Sequence, residues 1–322
     1  MKKLALLLAA LSVASVSYAK EVMPEAAPVV EEAPVVEEVV EVKAAPVLRV
    51  TSVGQQLVVE NKSNANDSGF ADVGEAVHLK NMVGLALGDS WTFDLMARKT
   101  WSASVDDNEV DANGNPTGSG MHSEAHRLDL QATRHFENFS FGLRWRGEKD
   151  QDAIFLPVSY NFGMVSGWFD PAYYFTDGKG EDDFFYLEAE PVVLSYGPVQ
   201  LAYYFEGYEY TGDEVKGVEK DDHEYTHQAR LRATVYQNDA FKVGAEYRYQ
   251  FAHEAVSTLD GVEKKVENNR HIGVLSAAYN VTENLVIDTY YQYEFNKYET
   301  TNETALDDDY YGEFGLGWTY NF

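Results

Sequence analysis

From Val47 to Phe322 the sequence alternates apolar and polar residues with a period of two, interrupted by polar, glycine-rich or acidic segments. In one stretch the apolar positions Phe241, Val243, Ala245, Tyr247, Tyr249 and Phe251 alternate with Lys242, Gly244, Glu246, Arg248 and Gln250. Successive side chains of a β-strand point to opposite faces, and charged side chains that face a dry core are very costly. The alternation therefore predicts strands with one apolar and one wet face, as in a soluble sandwich or a membrane barrel.

The number and spacing of these strands favour the barrel. We predict fourteen strands, at residues 47–60, 74–87, 91–105, 122–136, 139–147, 153–162, 165–176, 184–195, 198–211, 223–236, 241–253, 269–280, 285–297 and 309–322. Short turns alternate with longer acidic segments, which we place at 106–120, 211–222, 253–268 and 298–309. Outer-membrane barrels have short periplasmic turns and longer extracellular loops, whereas a sandwich has no reason to keep that alternation. The pattern predicts an all-β fold, a transmembrane antiparallel up-and-down β-barrel of about 14 strands.

Composition agrees with this prediction. The chain has 22 Tyr, 17 Phe and 5 Trp, yet its mean hydropathy is negative, as expected when an apolar exterior is averaged with a polar interior. No later stretch has the roughly 18 to 20 consecutive apolar residues that a transmembrane helix needs. Acidic residues outnumber basic ones by 53 to 25, which argues against nucleic acid as a partner, and with no cysteine the chain has neither disulfides nor thiolate metal sites.

The first 46 residues differ from the rest. Lys2 and Lys3, the apolar run 4–11 and the small residues before Lys20 predict a cleaved signal peptide at 1–19. Residues 20–46 are rich in Pro, Glu and Val, which predicts a flexible periplasmic arm before the barrel at 47–322.

The last predicted strand carries its own signal. Aromatic and apolar residues occupy one face of it: Phe314, Leu316, Trp318, Tyr320 and Phe322. An exposed terminal edge this apolar is normally avoided in soluble proteins. We interpret the five residues as a membrane-insertion signature read by the barrel-insertion machinery, which predicts the outer membrane of a Gram-negative bacterium as the location, with lipid and lipopolysaccharide as surroundings.

Together, the leader, the segment Lys20-Glu21-Val22-Met23-Pro24, the acidic arm and the terminal Tyr320-Asn321-Phe322 resemble the major outer-membrane porins of fusobacteria. The resemblance is concentrated at the two ends of the chain. It implies a voltage-responsive, weakly selective diffusion pore of a kind that is often abundant and often a homotrimer.

The charged faces of the strands supply the candidate site. We predict that eleven residues line a pore: Asp94, Arg98, Asp129, Arg144, Arg146, Glu206, Arg230, Arg232, Glu246, Arg248 and Glu294. Rings of charge set ion selectivity, and bases that face acids across the lumen would create a transverse field. The alternative is that most of these residues pair locally and only keep the lumen wet.

The function predicted is passive diffusion of ions and small hydrophilic solutes, without a cofactor or a metal. An adhesin or surface receptor acting through the acidic loops is the alternative. For an enzyme, the nearest candidates are His122 and His126 with Glu124, and His223 and His227 beside Tyr225, but the sequence has no G-x-S-x-G or H-E-x-x-H motif. We therefore do not expect an enzyme.

Overall fold

The computed structural model describes residues 47–64, 72–104, 120–176, 182–213, 216–300 and 309–322. All of them fall in the compact unit Pro46–Phe322. Their strand segments are β1 (Leu48–Asn64), β2 (Asp72–Leu87), β3 (Trp91–Ser104), β4 (Gly120–His135), β5 (Phe139–Glu148), β6 (Gln151–Phe155), β7 (Val158–Asn161), β8 (Val165–Thr176), β9 (Phe184–Tyr196), β10 (Val199–Tyr210), β11 (Lys220–Gln237), β12 (Phe241–Leu259), β13 (Val262–Asn280), β14 (Leu285–Thr300) and β15 (Asp309–Asn321). The predicted signal peptide and periplasmic arm lie outside the described residues.

The strands form one closed antiparallel sheet. Each strand pairs with its neighbours along the chain, and β1 pairs with β15 from Ser52 opposite Asn321 to Asn64 opposite Asp309. Segments β6 and β7 lie end to end between β5 and β8, so the described segments fill fourteen positions around the ring. This confirms the predicted fourteen-stranded up-and-down barrel.

The break between β6 and β7 occurs at Leu156 and Pro157. Proline has no backbone N–H to donate, but the sheet continues past it, because Gly142 N donates to Pro157 O at 2.7 Å and Leu156 N donates to Pro171 O at 2.9 Å. One predicted strand, 153–162, therefore becomes two segments without opening the wall.

One predicted loop is wrong. Residues 253–268 are not a loop, because β12 and β13 continue as a long hairpin that turns at Asp260 and Gly261. Both turn residues have positive φ, 49° and 76°, as a two-residue type I′ turn requires, and Asp-Gly is a strong signal for that turn. Similarly, β11 begins at Lys220, inside the predicted loop 211–222.

The outer surface is apolar. Aliphatic side chains around the middle of the barrel are exposed, among them Leu57, Leu95, Leu128, Leu201, Leu231, Leu275 and Leu316, and exposed aromatic side chains gather near the short turns, among them Phe139, Phe162, Tyr196, Tyr236, Tyr279 and Phe322. On β15, Tyr320 lies ten positions after Tyr310, which at ~3.3 Å per residue and a ~40° tilt gives roughly 25 Å along the barrel axis. This matches the apolar band of outer-membrane barrels, and the protein lies in the bacterial outer membrane.

The five residues of the terminal strand face this surface. Phe314, Leu316, Trp318 and Tyr320 are between 37% and 46% exposed, and Phe322 is 67% exposed. Their role as an insertion signature stays a prediction. Within the described ranges, no helix is long and apolar enough to cross a membrane.

Close packing on the inner face depends on one glycine of β15. Gly315 lies opposite Tyr290 of β14, and a Cβ atom at Gly315 would overlap the Tyr290 ring. The tyrosine hydroxyl in turn donates a hydrogen bond to Glu313. The glycine thus leaves room for an aromatic ring that lies flat against the wall.

We predict that Gly315→Ala destabilises the barrel by about 1–3 kcal/mol, because the Tyr290 ring must leave its place. The free energy of unfolding is measured by urea titration of the protein in lipid vesicles. Gly273→Ala is the control, since a Cβ atom there meets nothing within 4 Å. Equal stabilities of the two variants would contradict the prediction.

Candidate functional site

The charged inner wall of the barrel is the candidate site. All eleven predicted residues lie on the face opposite the exposed apolar side chains; Leu128, Leu143 and Leu231, for example, are exposed next to Asp129, Arg144 and Arg230. Further charged residues that were not predicted from the sequence share this face, among them Glu60, Lys80, Arg127, Glu148, Asp170, Glu188, Glu190 and Arg270. Strand alternation could have identified such residues, because side chains two positions apart share a face. Arg127 is two residues before Asp129, and Glu148 is two residues after Arg146.

The central charges lie at a common height above the short turns. Arg98 is the seventh residue after Trp91, where β3 begins, and Arg146 is the seventh after Phe139, where β5 begins. The same spacing places Glu206 after Val199, Arg248 after Phe241, and Arg230 before Gln237. Because these strand ends are joined by short turns at one rim, the five residues belong to one ring near the middle of the wall.

The first arginine sector lies on β3 to β5. Arg98 Nη2 is 3.5 Å from Glu148 Oε1, and Asp129 accepts from both Arg127 and Arg146, with Arg146 Nε at 3.2 Å. These side chains are less than a quarter exposed. Two arginines share one carboxylate here, so positive charge exceeds negative charge in this sector.

An aromatic cluster continues this sector onto β6 and β8. Phe155 is fully buried, and the guanidinium carbons of Arg144 and Arg146 lie 3.9 and 4.5 Å from its ring centroid. Arg144 also pairs with Asp170, and Arg146 Nη1 donates to Tyr174 Oη at 2.6 Å. Cation–π contacts and hydrogen bonds therefore hold both arginines flat against the wall.

The second arginine sector lies on β11 to β13. Glu190 of β9, whose side chain is 4% exposed, accepts from Arg230 Nη1 at 2.9 Å and from Arg232 Nη1 at 2.9 Å. Glu246 accepts from Arg232 Nε at 3.1 Å and from Arg248 Nε at 2.9 Å. The carboxylates and guanidinium groups alternate, so each arginine has an acidic partner.

Farther along the same sector, Arg270 Nη1 lies 3.3 Å from Glu294 Oε2. Arg248 Nη1 also donates to Gln292 Oε1 at 3.3 Å. These contacts link the arginine sector to β14.

The first carboxylate sector lies on β9 and β10. Tyr186 Oη is 2.9 Å from Glu188 and 3.2 Å from Glu206, and Tyr204 Oη is 3.1 and 3.0 Å from the same two carboxylates. Tyr208 Oη donates to Glu206 at 2.9 Å. Phenol hydroxyls rather than bases are the hydrogen-bond donors observed here, so this sector carries net negative charge.

The second carboxylate sector lies on β15 and β1. Glu313 accepts from Tyr290 and from Tyr311 Oη, the latter at 2.9 Å, and it lies directly across the ladder from Glu60. Glu60 Oε1 is 2.7 Å from His78 Nε2. Tyrosines again surround the acids.

Strand order fixes how the four sectors face each other. The arginine sectors on β3–β5 and β11–β13 occupy opposite sides of the ring, and the carboxylate sectors on β9–β10 and on β15–β1 lie between them. In strand order each sector lies roughly opposite one of the same kind, and the predicted acid-to-base field across the lumen stays a prediction. Arginine-rich and carboxylate-rich sectors thus alternate around the wall.

The ion pairs of the wall follow its circumference. Arg98 and Glu148 lie on strands two positions apart, as do Arg144 and Asp170, and Glu190 is likewise two strands from Arg230. The prediction that residues pair locally thus describes these contacts, which do not reach across the lumen.

The histidines considered for catalysis are dispersed. His227 and Tyr225 lie on the outer face, where His227 Nδ1 is 2.7 Å from Tyr203 Oη. His223 Nε2 pairs with Glu254 at 3.2 Å, and His126 is on the outer face opposite Lys99. These described residues do not bring a nucleophile and a base together.

No protein-family model matches the chain, and no curated protein matches it. Among solved structures, OmpT, an outer membrane protein of Vibrio cholerae, is similar at 12% identity and a TM-score of 0.44, over 85% of this chain and 98% of that one. OccAB3 of Acinetobacter baumannii aligns at 9% identity and a TM-score of 0.47, over 85% and 99%. An anion-selective porin from Comamonas acidovorans aligns at 13% identity and a TM-score of 0.40, over 85% and 100%.

We predict that Glu190→Ala lowers the free energy of unfolding by about 3 kcal/mol, because it leaves Arg230 and Arg232 facing each other without their shared carboxylate. The exposed pair of Lys149 and Asp150, 3.9 Å apart and 62% and 59% exposed, provides the control. Asp150→Ala should cost less than about 1 kcal/mol. Urea titration in vesicles measures both variants, and a Glu190→Ala barrel as stable as the control would contradict the assignment.

Proposed function

We propose that this protein is a porin, which allows passive diffusion of ions and small hydrophilic solutes across the outer membrane. The observation that carries the proposal is the ring of charged side chains around the inner wall, with its ion pairs running along the circumference. Charges of this number need water on their side of the wall. A fourteen-stranded barrel is also wider than the eight-stranded barrels that side chains fill, and narrower than the 16- to 18-stranded porins.

The charges of the wall support a preference for cations. Glu188 and Glu206 are bonded by tyrosines that do not neutralise them, whereas each described arginine sector contains carboxylates that offset its charge. The chain as a whole has a formal charge of −28. Both features raise the local concentration of cations relative to anions.

The proposal includes two properties implied by the resemblance of the chain ends to fusobacterial major porins, namely membership of that family and a homotrimer. The eleven pore-lining residues predicted from the sequence are part of it as well. The adhesin alternative depends on acidic segments, of which 106–119 and 301–308 lie outside the described residues, and it stays a prediction of the sequence.

We expect the purified, folded protein to give stable single-channel current steps in a planar lipid bilayer bathed in KCl, because a water-filled lumen conducts. Heat-denatured protein is the control and should give none. A folded protein, recognised by its heat-dependent migration in gels, that gives no steps would contradict the proposal.

In a KCl gradient, we expect the reversal potential to have the sign of a cation-preferring channel. A reversal potential of the opposite sign would mean that the arginine sectors dominate the selectivity.

A further inference from the structure

We propose that the alternating ring favours zwitterionic solutes, small molecules that carry one ammonium and one carboxylate group, over neutral or singly charged solutes of the same size. This inference rests on the proposed pore function and names the solute class that the pore favours. It depends on carboxylate-rich and arginine-rich sectors lying next to each other around the wall.

Positively and negatively charged side chains lie side by side on the wall where the first carboxylate sector meets the second arginine sector. We call such a place a border. The guanidinium carbon of Arg230 lies 3.4 Å from the ring centroid of Tyr204, and the hydroxyl of that same tyrosine bonds Glu188 and Glu206. One tyrosine therefore separates the guanidinium from the two carboxylates. Glu188 and Glu206 are half-buried, so one side of each stays accessible from the lumen.

A second border lies on β1, β2 and β15. Lys80 Nζ donates to the amide oxygen of Gln56 at 3.2 Å, and the neighbouring Glu60 and Glu313 are held by His78 and by tyrosines. An ammonium group of the protein and two carboxylates are thus neighbours on adjacent strands, with the first arginine sector beyond them.

The geometry predicts how each class of solute meets the ring. Where a carboxylate meets a guanidinium on the wall, a singly charged solute is attracted by one of the two groups and repelled by the other. A zwitterion that lies along the wall at a border places its own ammonium group against the carboxylates of the protein. Its own carboxylate then lies against the guanidinium or ammonium group of the protein. Both of its charges are then stabilised at once.

Four isosteric solutes test the inference: alanine, a zwitterion; lactate, an anion; alaninamide, a cation; and lactamide, which is neutral. Their initial influx into proteoliposomes is measured at about pH 6, below the pKa of an α-amino group, after KCl conductance has been recorded for the same preparation. We expect alanine to enter about threefold faster than lactamide and faster than either ion, because rings of charge set selectivity.

The variant Glu188→Gln with Glu206→Gln removes the charge of one carboxylate sector and retains oxygen acceptors for the tyrosine hydroxyls. It should abolish most of the alanine preference and move the reversal potential toward anions. The matched control, Asp150→Asn with Glu263→Gln, removes two charges from exposed hairpin positions and should leave the preference for alanine unchanged.

If the glutamate variant fails to fold, Lys80→Gln with Arg127→Gln tests the same idea from the basic side. It should also reduce the alanine preference, while moving the reversal potential toward cations. A wild-type barrel that conducts KCl but passes alanine and lactamide equally would overturn this inference alone, as would a variant that folds and keeps the preference. A folded barrel without conductance would overturn the proposed function itself.

Discussion

The ladder between β1 and β15 is the contact on which the rest of the structure depends. In hydrocarbon, every backbone N–H and C=O group must find a partner within the protein, so a sheet can cross a membrane only when it has no free edge. Pairing from Ser52 with Asn321 to Asn64 with Asp309 removes the last edge. Once the ring is closed, strand alternation sends every second side chain to lipid and the others to the lumen.

Closure also explains why the inner wall carries so many paired charges. Inward positions must be polar to hold water, yet side chains on neighbouring strands lie only about 5 Å apart. Like charges at that distance repel, and Glu190 between Arg230 and Arg232, or Asp129 between Arg127 and Arg146, relieves the repulsion. Where bases are absent, tyrosine hydroxyls bond the carboxylates instead. Selectivity then depends on the charge left over in each sector.

Sequence and structure agree on the face to which a side chain points, because a residue and its neighbours two positions away along the strand share one face. All eleven residues predicted for the pore lie on the inner face, because Leu231 or Leu143 beside them has to meet lipid. The prediction failed at 253–268, where acidic composition suggested a loop although Asp260 and Gly261 encode a tight turn. Prediction from the sequence also missed Glu190, because the role of its carboxylate comes from hydrogen bonds with arginines about forty residues later in the chain.

By itself, the sequence determined the number of strands and the face to which each side chain points, since both follow from local alternation and strand ends. Only the tertiary structure decided which charges oppose each other. That arrangement depends on how many strands complete the ring and on the register in which the first meets the last. In strand order the arginine-rich and carboxylate-rich sectors alternate around the wall, which alternation along a single strand does not reveal.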